Sequence, residues 1–243
     1  VGGVERQWEF MLIGEAVVDG GRAMTLARSG QIVVTEAAHD LLAGASSLPP
    51  TPPSFETLEG KAMSLLIDAG DECSADTFAP TRPENQVPHS RCQVQLRSFV
   101  PMTVLAQLDA GHSVEYVSSL RTLSVLFVEM QGLFWTTSGS ELHAGESFDN
   151  VDMEASLRRI QASIIAGQRA VYANHGHLRQ FIVDDKGFVL LAGFGIRQQG
   201  QRDATLTAED CLNTALAILT SLGTHNVKCK IGATTGSCFA GLI

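Results

Sequence analysis

The chain predicts an α+β fold in which helices cover a mostly antiparallel sheet. Residues 120–243 run strand, helix, strand-turn-strand, helix, strand, turn, strand, an order that lays amphipathic helices over strands and does not alternate them into a parallel sheet. Residues 8–42 repeat part of that order as strand, helix, strand, helix. A chain of 243 residues that is 44% hydrophobic and 18% charged also has enough apolar side chain to bury a core in one large domain or two small ones.

In the first block, residues 8–13 are an apolar run through Trp8, Phe10 and Leu12 that stops at Gly14, as a strand buried on both faces does. Residues 15–28 carry Ala16, Val17, Ala23, Met24 and Leu26 at helical spacing, interrupted by Gly20 and Gly21. Ile32, Val33 and Val34 make a short strand, and Thr35 caps a second helix ending near residue 42. Pro49, Pro50, Pro52 and Pro53 cannot donate backbone hydrogen bonds, so residues 46–54 are expected to be a linker or exposed loop. Residues 55–67 alternate as one or two strands with a turn at 59–61, and the polar, proline-containing stretch 68–90 is expected to be irregular.

The second block opens with a short amphipathic helix over 102–108 and the strongest strand of the chain, 120–130, rich in Val, Leu and Phe. Residues 131–150 read as a loop, and 153–172 as a helix with Leu157, Ile160, Ile164, Ile165 and Ala170 along one stripe. Strands over 177–183 and 188–194 are joined by a tight turn in which Gly187 takes a positive φ. Thr207 and Asp210 resemble a capping box ahead of a helix over 211–222. A strand over 227–233 then meets a hairpin partner beginning at Gly236. This order belongs to the ferredoxin-like topologies.

Seventeen Lys and Arg against 26 Asp and Glu leave a net charge of −9, which repels a phosphate backbone and disfavours nucleic acid as a partner. No apolar run reaches the roughly 18 residues of a membrane span, and no basic, apolar leader opens the chain, so it is expected to be cytoplasmic. Five scattered cysteines without a C-x-x-C pair fit reduced, mostly buried thiols. His175 and His177, one residue apart with no third ligand nearby, fit turn and surface roles better than a metal site. Arg158, Arg159 and Arg169 fit a solvated helix edge. Opening at Val1 and stopping in mid-pattern at Ile243, the chain reads as a piece of something longer.

Motifs in both blocks point to one family. The segment Ile231-Gly232-Ala233-Thr234-Thr235-Gly236, followed by Ala240-Gly241, resembles the I-G-x-x-x-G glycine motif of class III nucleotide cyclase domains, whose three glycines suit a tight hairpin. Leu123 to Glu129 is similar to the family's first strand, V-x-V-L-F-x-D, with Glu129 at the metal-binding Asp. In the first block, Phe10 to Arg22 is similar to the late motif Y-x-V-I-G-x-x-V-N-x-A-x-R, followed by Gly30-Gln31-Ile32-Val33-Val34-Thr35 for G-x-I-x-V-S. Residues 1–45 then resemble the end of one cyclase-like domain, 46–100 a linker, and 101–243 the beginning of a second. That tandem order resembles the bicarbonate-responsive, soluble adenylyl cyclases.

The resemblance implies a ferredoxin-like, cyclase-type sheet with covering helices, plus a partial copy of the same fold. It implies conversion of ATP to cyclic AMP and pyrophosphate between two paired domains, with Mg²⁺ or Mn²⁺ held by carboxylates. It places Glu129 and Asp184 at metal positions, Gln180 at the adenine-recognising Lys, and Arg22 on the motif's Arg, where an ATP phosphate or bicarbonate would bind. The principal catalytic residues are expected outside this chain, so the isolated piece is expected to be inactive. Val18 for Asn, Gln180 for Lys and Glu129 for Asp depart from the pattern. These departures keep open a catalytically inactive, nucleotide-binding or regulatory module, and Gln180 leaves ATP and GTP undivided. An unrelated ferredoxin-like binding domain is the third reading. The plain alternatives at the sites are a solvated strand end for Glu129, a turn former for Asp184 and an ordinary ion pair for Arg22.

Overall fold

The structure, a computed structural model, describes residues 1–43, 54–57, 63–68, 90–111, 119–142, 148–184, 187–196 and 203–240. The proline-rich stretch 46–53, the turn at 59–61 and residues 69–89 lie outside them. The chain is mixed α+β with two antiparallel sheets. It divides into two units, residues 13–87 and residues 1–12 with 88–243.

In the smaller unit, α1 (Glu15–Leu26) runs through Gly20 and Gly21 without a break, because neither glycine takes a positive φ. β1 (Ile32–Thr35) leads into α2 (Glu36–Ala43), and the Thr35 hydroxyl accepts a hydrogen bond from the Ala38 amide at 3.3 Å as the sequence anticipates. β2 (Ser54–Thr57) and β3 (Met63–Asp68) complete a three-stranded sheet in the order β1-β3-β2.

The larger unit holds α3 (Ser90–Arg97), α4 (Met102–Asp109), β4 (Ser119–Gln131), α5 (Met153–Ala173), β5 (Gly176–Asp184), β6 (Gly187–Phe194), α6 (Ala204–Thr224) and β7 (Lys228–Ala240). From β4 onward this is β-α-β-β-α-β. The sheet order β5-β6-β4-β7, antiparallel at every step, interleaves two split β-α-β units. Period-2 alternation along β4 sends Leu126, Val128 and Met130 to one side, where they are at most 1% exposed. α5 and α6 pack there with Ile160, Ile164, Val171, Ile218 and Leu222, all equally buried. Gly167 brings α5 close to the sheet: a Cβ at that position would lie 2.6 Å from the Leu190 Cδ1 atom. Val125, Phe127 and Glu129 therefore belong to the opposite face, which neither α5 nor α6 covers, and Phe127 is 49% exposed there.

Helix starts follow side-chain chemistry. Asp152 caps α5 by accepting from the Ala155 amide, and Asp203 caps α6 by accepting from the Thr205 amide. α6 thus begins earlier than the expected capping box at Thr207. Thr207 lies buried within the helix, and its hydroxyl donates to the Ala204 carbonyl at 2.8 Å. Once Asp203 satisfies the first amides, a second cap has no orphan donor to serve.

Two further expectations are corrected. Residues 8–13 form no strand; Trp8 makes one isolated bridge, to Gly2. The Trp8 and Glu9 amides donate to the Ser98 and Val1 carbonyls, and α5 side chains bond the backbone just before them. The Gln168 amide donates to the Gln7 carbonyl and accepts from the Val4 amide, and Gln161 bonds both ways with Gly2. The expected hairpin at Gly236 is also replaced. β7 is one 13-residue strand paired with β4 from Ser119↔Ala240 to Gln131↔Lys228. Gly232 and Gly236 keep ordinary extended backbone, and the β-branched Thr234 and Thr235 favour a continued strand. Gly187 does take the expected positive φ, 115°.

Two outcomes follow. Gly236→Ala raises stability in urea denaturation by about 0.5–1 kcal/mol, since a mid-strand glycine with open space around its Cβ position weakens the strand; a loss larger than that means the backbone turns there. Ile160→Ala, at the centre of the α5 contact, lowers stability by about 2–5 kcal/mol in the same measurement.

Candidate functional site

The uncovered face of the four-stranded sheet gathers the sequence-predicted residues of the second block. Cross-strand pairs point to the same side. Glu129 stands between Val189 and Lys230, and Phe127 between Leu191 and Gly232, with Gln180 beyond Leu191 and Ile182 beyond Val189. Asp184 ends β5 opposite Gly187, and its side chain lies outside the described residues. Arg22 belongs to the smaller unit, where it ion-pairs with Asp19 one turn earlier on α1 at 3.0 Å. The pair is exposed, so it leaves the guanidinium accessible and adds little stability.

Glu129 is not a bare carboxylate. Its Oε1 accepts from the Gln131 amide at 2.6 Å and from the Lys230 ammonium at 3.1 Å. Those two bonds, Gln131's first, hold its carboxyl below the ordinary glutamate value. Around it, Phe127, Val189 and Ile231 line a shallow depression of about 340 Å³. The ammonium supplies the positive charge that a divalent ion would otherwise bring, so Glu129 as placed does not fit a Mg²⁺ or Mn²⁺ ligand. No group of three or more His, Cys, Asp or Glu able to hold a metal occurs among the described residues.

A second recess lies at the β5 edge, within the same unit. It has a volume of about 400 Å³. Trp8, Glu9, Phe10 and Phe99 line one side, and Arg179, Gln180 and Phe181 of β5 the other. The β5–β6 register slips between Leu178 and Gln180, which leaves Arg179 as the extra residue of a bulge. Burial pushes the Glu9 carboxyl above its ordinary value, while the Val1 ammonium and then Arg179 pull it down. Burial also raises the neighbouring Tyr172 phenol, helped by the carboxylates of Glu9 and Glu5.

Sequence reasoning missed Lys230, Arg179 and Glu9. Lys230 acts on a residue 101 positions away, which local pattern does not reveal. Arg179 owes its place to a bulge without a glycine to mark it. Arg159, read as a solvated edge, instead joins distant loops, donating to the Gly132 and Asn226 carbonyls and lying 4.8 Å from the Trp135 ring centroid. The four described cysteines are free thiols, but of these Cys211 alone is buried; Cys229 and Cys238 are half-buried and Cys92 is exposed, against the expectation of mostly buried thiols. No described helix is long and apolar enough to cross a membrane. Comparison with protein-family models gives no match, and comparison with curated proteins gives none either.

Lys230→Met removes the ammonium, so the Glu129 carboxyl carbon titrates at higher pH in NMR than in the native chain. A carboxyl held low in the folded state adds stability above its unfolded value and loses it as pH falls through the folded value. The native chain and the variant therefore differ most near neutral pH and converge in acid. An unmoved Glu129 titration contradicts the pairing.

Proposed function

We propose that the chain is part of a soluble class III adenylyl cyclase, which converts ATP to cyclic AMP and pyrophosphate. In this reading the smaller unit, residues 13–87 with β1, β2 and β3, belongs to the end of one cyclase-like domain, and residues 101–243 are the beginning of the second. The observation that carries this reading is the β5-β6-β4-β7 sheet, ferredoxin-like in its order and covered on one side by α5 and α6. Its other face sets exposed Phe127 beside Glu129 and Gln180, as a domain that works against a paired domain requires. The glycine motif and the Phe10 to Arg22 motif support it from the sequence.

In this reading the ribose 3′ oxygen attacks the α-phosphorus between the two domains. The Mg²⁺ or Mn²⁺ belongs to carboxylates outside this chain. Gln180 offers an amide to the base, and Arg22 offers an accessible guanidinium to phosphate or bicarbonate. The Glu129–Lys230 pair favours a second reading, in which this domain is a catalytically inactive module that binds nucleotide or regulates attached domains.

The test is cyclic AMP formation from ATP with Mg²⁺ or Mn²⁺. The 243-residue chain alone makes none, and the parent protein makes it. Phe127→Asp in the parent lowers the rate at least about tenfold, equivalent to about 1.4 kcal/mol of pairing free energy, while Arg22→Ala removes stimulation by bicarbonate. A parent protein without cyclase activity in either metal overturns the enzyme reading in favour of the inactive module. Unchanged bicarbonate stimulation removes Arg22 from the anion site.

A further inference from the structure

The recess at the β5 edge has the composition of a small-molecule site, and of its lining the cyclase reading uses Gln180 alone. Its volume of about 400 Å³ suits a one- or two-ring ligand. Three large aromatic side chains are exposed around it, Trp8 at 42%, Phe10 at 75% and Phe99 at 50%. Such rings are ordinarily buried, and grouped on one concavity they offer flat apolar walls. Between them stand exposed Arg179 and Gln180 and half-buried Glu9. The Arg179 guanidinium makes no hydrogen bond or ion pair with a described residue, and the Gln180 amide and Glu9 carboxyl make no hydrogen bond with one.

Charge narrows the ligand. One guanidinium and one carboxyl line the recess, and the Val1 ammonium bonds the Glu9 carbonyl beside it; that is too little positive charge for a polyphosphate, which Glu9 also repels. A single carboxylate is matched by the planar fork of Arg179, which binds it bidentately. We propose that this recess binds a planar aromatic monocarboxylate, its carboxylate on Arg179, its ring against Trp8, Phe10 and Phe99, and its polar edge on the Gln180 amide. Glu9 turns away ligands of higher negative charge. The site lies within one unit, and of its residues only Gln180 also belongs to the cyclase reading.

Titration of the chain with 2-naphthoate, followed by saturation-transfer NMR, tests it. 2-Naphthamide, which keeps the rings without the charge, and metal-free ATP serve as the other two ligands. Saturable binding of 2-naphthoate is expected, at least about tenfold tighter than binding of the amide or of ATP, as one charge-assisted contact of about 1.4 kcal/mol provides. Arg179→Gln is expected to remove that preference, and Phe10→Ala to weaken both naphthyl ligands alike. Arg158→Gln, at an exposed ion pair with Glu154 on α5, is expected to change nothing. Both test positions are exposed, so circular dichroism confirms the fold of each variant. No saturable binding at millimolar 2-naphthoate, equal binding of the amide, tighter binding of ATP, or an Arg179→Gln variant that binds like the native chain overturns the proposal.

Discussion

The larger unit depends on the two-sidedness of β4. Leu126, Val128 and Met130 alternate onto the side where α5 and α6 lie, and their burial with Ile160, Ile164 and Ile218 supplies the apolar core. β6 and β7 hydrogen-bond to the two edges of the same strand. Because the side-chain period is two, fixing the core face of β4 also fixes what its other face presents, namely Val125, Phe127 and Glu129. The site residues of the second block are thus a consequence of how the core packs.

Elements that draw stability from their own periodicity were legible in the sequence. The Ile160 and Ile164 stripe of α5, the Val-rich run of β4 and the Gly187 turn each declare themselves within a dozen residues. The misses share a different cause. Residues 8–13 have the composition of a strand, but a strand needs a neighbouring ladder, and here the Trp8 and Glu9 amides go to the Ser98 and Val1 carbonyls while Gln161 and Gln168 take the backbone just before them. The glycines of β7 suit a turn, but the long edge of β4 rewards continued pairing along all 13 residues. In both cases a partner distant in sequence decided the local conformation.

The candidate site divides along the same line. Glu129 and Gln180 were found by motif and do share the uncovered face of the sheet. What surrounds them was not foreseen. Lys230 is opposite Glu129 because β7 pairs with β4 in the register Glu129↔Lys230, a cross-strand relation that local pattern does not reveal. With an ammonium 3.1 Å from its carboxylate, Glu129 is better suited to organising this face than to holding a metal ion.

The most direct test of the central claim is a set of cross-strand nuclear Overhauser contacts in solution. With β4 as the inner strand, backbone protons of Leu126 contact those of Ala192 on one side and of Ala233 on the other, and Leu120 contacts Phe239. Contacts from Leu126 to one neighbour alone, with residues 237–240 folded back on 228–233, would contradict the four-stranded sheet and with it the face that carries Glu129, Lys230 and Gln180.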